Sequence, residues 1–288
     1  MDIKNIPVRF VGPGSQPADG ADETPTCIGM PGDMSTWQEP WVPEPGAATD
    51  RAGARQAMLW LQQALSDYGK TSEPLLANLS ALDAECRELV NQILGEGEVS
   101  VTYNGAFRAR TQEAVLAGVW RTIYLDQDER ILFDILEVAD APHILRLPDG
   151  RHRPVDARMD DATTGVINAL PILVELRSHC AQYTKTSTTH VINLTLLPLS
   201  DDDLEFLDTR LGRGPVDSLS RAYGRCQVSS TLTPNIWWVR YYNSMGTLIL
   251  NMLEVIDVPA VICAAPEDLR DSLDRLQDIL MPYWSDMS

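Results

Sequence analysis

The sequence predicts an α+β fold. It reads as two tandem helix-helix-antiparallel-meander repeats with a pseudo-twofold relation, a proline-rich N-terminal arm and a C-terminal helix. The first observation behind this is internal repetition. Leu94-Gly95-Glu96-Gly97-Glu98-Val99 returns 117 positions later as Leu211-Gly212-Arg213-Gly214-Pro215-Val216. Without a gap, the same offset sets Leu82 on Leu199, Glu88 on Glu205, Arg108 on Arg225, Trp120 on Trp237 and Tyr124 on Tyr241. It also sets Leu136-Glu137-Val138-Ala139-Asp140-Ala141-Pro142 on Leu253-Glu254-Val255-Ile256-Asp257-Val258-Pro259. The second observation is that apolar spacing within each copy changes from helical to strand-like. The third is the opening fifty residues, whose eight prolines and six glycines exclude a long helix or central strand. The chain therefore divides into an arm (1–50), a first repeat (51–150) and a second repeat with a terminal helix (151–288).

Each element has a local cause. In the arm, Met30, Met34, Trp37 and Trp41 are costly to leave in water and need a surface to cover. A helix over 54–68 follows from Met58, Leu61, Leu65 and Tyr68, with Gly69 at its end. Its counterpart is expected over 162–183, with a start or kink at Pro171. Tyr68-Gly69-Lys70-Thr71-Ser72 matches Tyr183-Thr184-Lys185-Thr186-Ser187 at an offset of 115, a two-residue indel from the main register. A second helix over 83–94 is mirrored by 201–211. Asp83 and Ser200 serve as N-caps, and the first glycine of Leu-Gly-x-Gly closes each helix. Strands follow over 99–103, 107–116, 119–125 and 131–138. The turn Asp126-Gln127-Asp128-Glu129 corresponds to Asn243-Ser244-Met245-Gly246, and both suit hairpins. The last helix, 266–280, has Pro266 in its first turn and a stripe of Leu269, Leu273, Leu276 and Leu280.

Composition narrows the function. Among 288 residues, 23 are Lys or Arg and 41 are Asp or Glu, a formal charge of −18. Such a chain repels phosphate backbones and anionic bilayers, so no nucleic acid and no membrane insertion are expected. The excess aids solubility and attracts a basic partner. The start lacks a basic stretch followed by an apolar run, so a cytoplasmic location is expected. Cys27, Cys86, Cys180, Cys226 and Cys263 are odd in number and widely spaced, as for reduced and mostly buried thiols.

The familiar catalytic templates are absent: no P-loop, no dinucleotide fingerprint, no His-Glu-x-x-His and no Gly-x-Ser-x-Gly. Gly12-Pro13-Gly14-Ser15 resembles a phosphate cradle, but Pro13 removes a donor and no Lys follows. Of the four histidines, His143, His152, His179 and His190, only the His179-Cys180 pair with His190 suggests metal. Adjacent helical residues point about 100° apart, so separate structural roles are expected. The repeated carboxylates Glu137, Glu254, Asp140 and Asp257 are read as a structural turn. No catalytic residue, metal or cofactor is expected. The aromatic run is different. As a strand, it turns Trp237, Val239 and Tyr241 toward the core and Trp238, Arg240 and Tyr242 to the opposite face. Two large aromatics flanking an arginine make a candidate partner surface, continuing into Asn243, Ser244 and Met245.

That run also carries a family resemblance. Tyr241-Tyr242-Asn243-Ser244-Met245-Gly246-Thr247-Leu248-Ile249-Leu250-Asn251-Met252-Leu253-Glu254-Val255-Ile256-Asp257-Val258-Pro259, followed by Ala264-Ala265-Pro266-Glu267-Asp268-Leu269, resembles the C-terminal signature of the HupH/HyaF hydrogenase expression/formation proteins. Gly12-Pro13-Gly14-Ser15-Gln16-Pro17 and Met30-Pro31-Gly32-Asp33-Met34-Ser35-Thr36 resemble the opening of that family. The resemblance implies an accessory factor or chaperone for maturation of uptake nickel–iron hydrogenase. Its implied partners are the hydrogenase small subunit precursor and a thioredoxin-like HyaE/HupG-type protein. No catalytic residues come with it. The partner-binding candidates are therefore Gly12, Gly14, Ser15, Gln16, Trp37, Trp41, Trp238, Arg240, Tyr242, Asn243, Ser244 and Met245. Two functions stand open. The protein holds the immature small subunit before its iron–sulfur clusters are complete and before twin-arginine export, or it is a metal- or cofactor-handling assembly factor for the hydrogenase, enzymatic or not. In the second case Cys27, Cys180, Cys226 or the histidines would matter.

Overall fold

The computed structural model describes residues 51–147, 150–160, 162–221 and 224–284. Helix α1 (Ala52–Thr71) buries one stripe, Ala54, Met58, Leu61, Leu65 and Tyr68. It passes through Gly69, where the sequence predicted its end, and stops at Ser72. That residue takes the left-handed conformation (φ 56°) and donates its N–H to the Tyr68 carbonyl. After β1 (Leu75–Asn78), α2 (Ala84–Leu94) starts where Asp83 accepts the Cys86 N–H at 2.7 Å. It ends at Gly95, whose φ of 55° favours glycine. The meander β2 (Val99–Asn104), β3 (Arg108–Glu113), β4 (Val119–Leu125) and β5 (Ile131–Val138) follows, then a 3₁₀ turn at His143–Arg146.

The second half runs α3 (Ala169–Gln182), β6 (His190–Asn193), α4 (Asp201–Leu211), β7 (Arg213–Ser220), β8 (Arg225–Thr231), β9 (Ile236–Tyr242), β10 (Leu248–Val255) and α5 (Pro266–Leu280). Two expectations need correction. A short strand, β1 or β6, stands between the two helices of each half. Helix α3 starts at Ala169 rather than at 162, which leaves Pro171 in its first turn, where a missing N–H costs nothing.

All ten strands form one antiparallel sheet, in the order β1-β5-β4-β3-β2-β7-β8-β9-β10-β6. The halves join at β2 and β7, with Val101 opposite Ser218, Val99 opposite Ser220 and Tyr103 opposite Val216. The larger core unites α1, α2 and α5 with Tyr103, Trp120, Val228, Trp237 and Val239. The smaller packs α3 and α4 on Ile236, Trp238, Leu253 and Val255.

One arginine reports how far this sheet bends. Asp140 and Asp257 follow β5 and β10, the second and ninth strands in the order. Seven inter-strand steps would separate them by on the order of 30 Å in a flat sheet. Yet Arg146 donates to both, from Nη2 to Asp140 Oδ2 at 3.0 Å and from Nε to Asp257 Oδ2 at 2.7 Å. The sheet therefore curls until its two flanks meet at one guanidinium. Helix α5 crosses back to α1, and Leu269 lies where a Cβ on Gly118 (φ 75°) would sit.

The second half rests on a buried carboxylate. Asp203 is fully buried, and its Oδ1 accepts the N–H groups of Ile167 (2.8 Å), Asn168 (2.8 Å) and Ala169 (2.9 Å) at the start of α3. Its Oδ2 accepts from the Ser200 backbone and hydroxyl, completing a capping box on α4. Burial pushes its pKa up, but the donors outweigh it and the net shift is down. One side chain thus satisfies both helix starts. Asp203→Ala is expected to lose roughly 3 kcal/mol of stability, because several buried donors lose a charged acceptor. Urea unfolding measures this, and a loss under about 1 kcal/mol would show that the cap is dispensable.

Candidate functional site: two bulged hairpin tips

Two hairpins break the alternating strand pattern at the same place. In β4–β5, Leu125 opposes Ile131 and Tyr124 opposes Phe133, so Leu132 has no partner across the ladder. In β9–β10, Tyr242 opposes Leu248 and Tyr241 opposes Leu250, so Ile249 has none. A bulge bends the strand and re-aims its side chain. Both bulged residues are apolar and exposed, Leu132 at 50% and Ile249 at 56%, and Met245 at the second tip is 88% exposed. Antiparallel pairing of β2 with β7 puts the two tips at opposite ends of the strands. Behind the first tip runs an aromatic row: Tyr103 to Phe107 at 4.6 Å, Phe107 to Tyr124 at 5.5 Å and Tyr124 to the exposed Phe133 at 6.4 Å between ring centres. At the second tip, the Arg225 guanidinium lies 5.9 Å from the centre of the Tyr242 ring.

The sequence-derived candidates separate on this structure. Trp238 is buried in the smaller core and donates its indole N–H to Asn251, so it offers no partner surface. Truncating it to Ala opens a cavity worth about 3–5 kcal/mol, which tests folding rather than docking. In the first half, Arg121 and Asp134 hold the places of Trp238 and Asn251 as a bidentate pair at 2.8 and 2.6 Å. Arg240 is half-buried and stacks over Trp238 at 4.4 Å. Asn243 spends its side-chain oxygen on its own turn, accepting from Met245 N–H and Thr247 N–H. Asp126 does the same for Asp128 and Arg130 in the other hairpin. Tyr242, Ser244 and Met245 remain at the surface beside the bulge. Gly12, Gly14, Ser15, Gln16, Trp37 and Trp41 lie outside the described residues. Leu132 and Ile249 were missed, although Ile131-Leu132-Phe133 and Leu248-Ile249-Leu250 interrupt alternation with three apolar residues each, as a bulge does.

Thiol chemistry is unfavourable at the described cysteines. Burial raises Cys180 and Cys226 to about 11 and Cys263 to about 12, so they are held as protonated thiols. Cys27 lies outside the described residues. His179 and His190, expected to act separately, are brought face to face, with ring centres 3.4 Å apart. Of the repeated carboxylates, Glu137, Asp140 and Asp257 make contacts within the fold. Asp140 and Asp257 hold Arg146, whose charged form these two acids stabilise against the opposing effect of burial.

Comparison with known proteins places the chain in a family. The profile described as HupH hydrogenase expression protein, C-terminal conserved region, matches residues 53–152 and 166–283. The chain belongs to this family, in agreement with the resemblance read from its motifs. It is 42% identical to the hydrogenase expression/formation protein HoxQ of Cupriavidus necator, over 97% of this chain and 98% of that one. It is 31% identical to the hydrogenase-1 operon protein HyaF of Escherichia coli, over 94% of each chain. Among solved structures, hydrogenase expression protein HupH from Thiobacillus denitrificans aligns with 38% of this chain and 91% of its own, at 32% identity and a TM-score of 0.36. Among the described residues, no helix is long and apolar enough to cross a membrane.

Two interior glutamates make stability depend on pH. Glu137, 2% exposed, accepts the His143 N–H at 2.9 and 3.1 Å. Burial raises it from 4.5 to about 7, and Glu113 likewise. Between these two values the folded protein binds more protons than the unfolded chain. Stability is therefore fully present below about 4.5, falls as pH rises to about 7, and is level above that as far as these groups are concerned. Glu137→Gln keeps an oxygen for His143 and removes the titration. Urea midpoints are expected to fall between pH 5 and pH 8 in the parent, with the slope flattened in Glu137→Gln by on the order of 1–3 kcal/mol. An unchanged slope would show that Glu137 is charged throughout.

Proposed function

We propose that this protein is an accessory factor in maturation of an uptake nickel–iron hydrogenase, and that it binds the immature small subunit in the cytoplasm before cluster completion and twin-arginine export. The observation that carries this reading is likeness along nearly the whole chain to proteins named for hydrogenase expression and formation. In this reading the protein acts by binding rather than by catalysis. Two apolar side chains, Leu132 and Ile249, stand outward at sheet hairpins on an acidic molecule. The apolar tips would hold unfinished client surface, and the charge of −18 would draw in a basic export signal. A thioredoxin-like HyaE/HupG-type protein is the second partner in this reading.

The same reading treats the two halves as copies related by a pseudo-twofold axis near Val101 and Ser218, with the arm (1–50) ahead of them. Support comes from the family profile, which matches twice. Positive φ also recurs at the 117-residue offset, at Gly95 and Gly212, Gly118 and Asn235, and Glu129 and Gly246. Trp120 and Trp237 donate their indole N–H groups to Ala139 and Ile256 carbonyls, again one offset apart. Two copies supply two equivalent tips.

Co-expression with the signal-bearing small subunit tests this. Capture of the precursor is expected at low ionic strength and is expected to weaken as salt is raised through the physiological range. Leu132→Asp with Ile249→Asp should abolish capture without moving the thermal midpoint, since both side chains are exposed. Failure to capture the precursor would overturn the proposal. Capture indifferent to the paired substitution would remove the tips from it, and indifference to salt would remove the charge.

A further inference from the structure

Helix α3 and strand β6 place three donors together that no part of the proposed client binding uses. Glu175 and His179 stand four residues apart, on one face of α3. The chain leaves α3, makes a turn in which Thr184 and Ser187 hydrogen-bond each other, and returns so that His190 opens β6 against that face. His190 Nε2 lies 2.8 Å from Glu175 Oε1, and the two imidazoles are stacked at 3.4 Å with planes 7° apart. One donor atom from each residue lies within 4.8 Å of the others, and among the described residues this is the one such group.

The arrangement serves the fold poorly on its own. An exposed carboxylate–imidazole pair adds little stability. A cation at the shared edge of the two rings gives the grouping a role, because each imidazole offers an in-plane lone pair there and the carboxylate supplies charge. The side chains of Glu175 and His190 are 46% and 26% exposed, so small rotations can aim the donors at a common point.

We propose that Glu175, His179 and His190 bind one borderline divalent transition ion of the zinc or nickel type. Two imidazoles and one carboxylate select such ions over magnesium or calcium, which take oxygen ligands. Three protein ligands leave a fourth position open to water or to a donor from another chain. Cys180 is not in the set, since it turns away from His179 along the helix and packs against the smaller core. The site stands independently of the client-binding reading and is tested on the isolated protein.

The test uses the untagged full chain, titrated separately with Zn²⁺, Ni²⁺ and Mg²⁺ by calorimetry. One equivalent of Zn²⁺ or Ni²⁺ is expected to bind, and Mg²⁺ is not. His179→Ala and His190→Ala should each weaken binding at least about tenfold, since even loss of a ligand's outer-shell partner costs that much. Cys180→Ser should leave affinity unchanged. Cobalt substitution gives a second readout, a visible ligand-field spectrum that both histidine variants lose. Circular dichroism shows whether the variants stay folded. Absence of a stoichiometric ion, or binding indifferent to both histidine substitutions, would overturn the proposal.

Discussion

The two flanks of the sheet meet at one guanidinium. Arg146 ties Asp140 to Asp257, and a ten-stranded sheet can satisfy that contact only by curling. Closure has a local cost, because it brings two carboxylates near each other, and Arg146 offsets it with three separate N–H groups. The same corner is tied again where Ala264 N–H donates to the Asp140 carbonyl at 2.7 Å and the Asp140 N–H donates to Tyr68 Oη at 2.9 Å. Segments from α1, the end of β5 and the approach to α5 are thereby locked at one point. Closure accompanies the large core, in which Tyr103 and Trp120 of one half are buried with Val228, Trp237 and Val239 of the other.

Much of this was legible in the residues, where the signal is local. Helices α2, α4 and α5 end where Asp83, Ser200, Pro266 and the two Leu-Gly pairs say they should, because capping is decided within a few residues. Strands β4 and β5 match their predicted spans, and the polar turns fall between the strands as read. Strands β1 and β6 were not legible. Each is four residues long, too short for a period to show, and its partners lie more than fifty positions away in β5 and β10. Asp203 was not singled out within the helix read over 201–211. Its role depends on a neighbouring helix whose position the sequence does not encode locally.

The site shows the same division. Alternation correctly separated Trp237 from Trp238, but it could not say that both faces of β9 are covered. Trp238 is enclosed by α3 and α4, a tertiary fact that turned an apparent contact residue into core. Separate roles were expected for the histidines because His179 and its neighbour Cys180 point about 100° apart on a helix, an argument that leaves out the turn folding β6 onto α3. The bulges at Leu132 and Ile249 were visible as triplets of apolar residues but were read as ordinary strand. The structure shows an antiparallel sheet with an exposed apolar residue, Leu132 or Ile249, at the bulge of each of two hairpins.

Hydrogen–deuterium exchange on the complex with the small subunit precursor tests the proposed role of these hairpins most directly. The account predicts slowed exchange at both tips, residues 126–133 and 243–250, with the strands around Trp120 and Trp237 unchanged because they are already buried. Protection confined to the helices α1, α2 and α5, with both tips exchanging as freely as in the isolated protein, would contradict it.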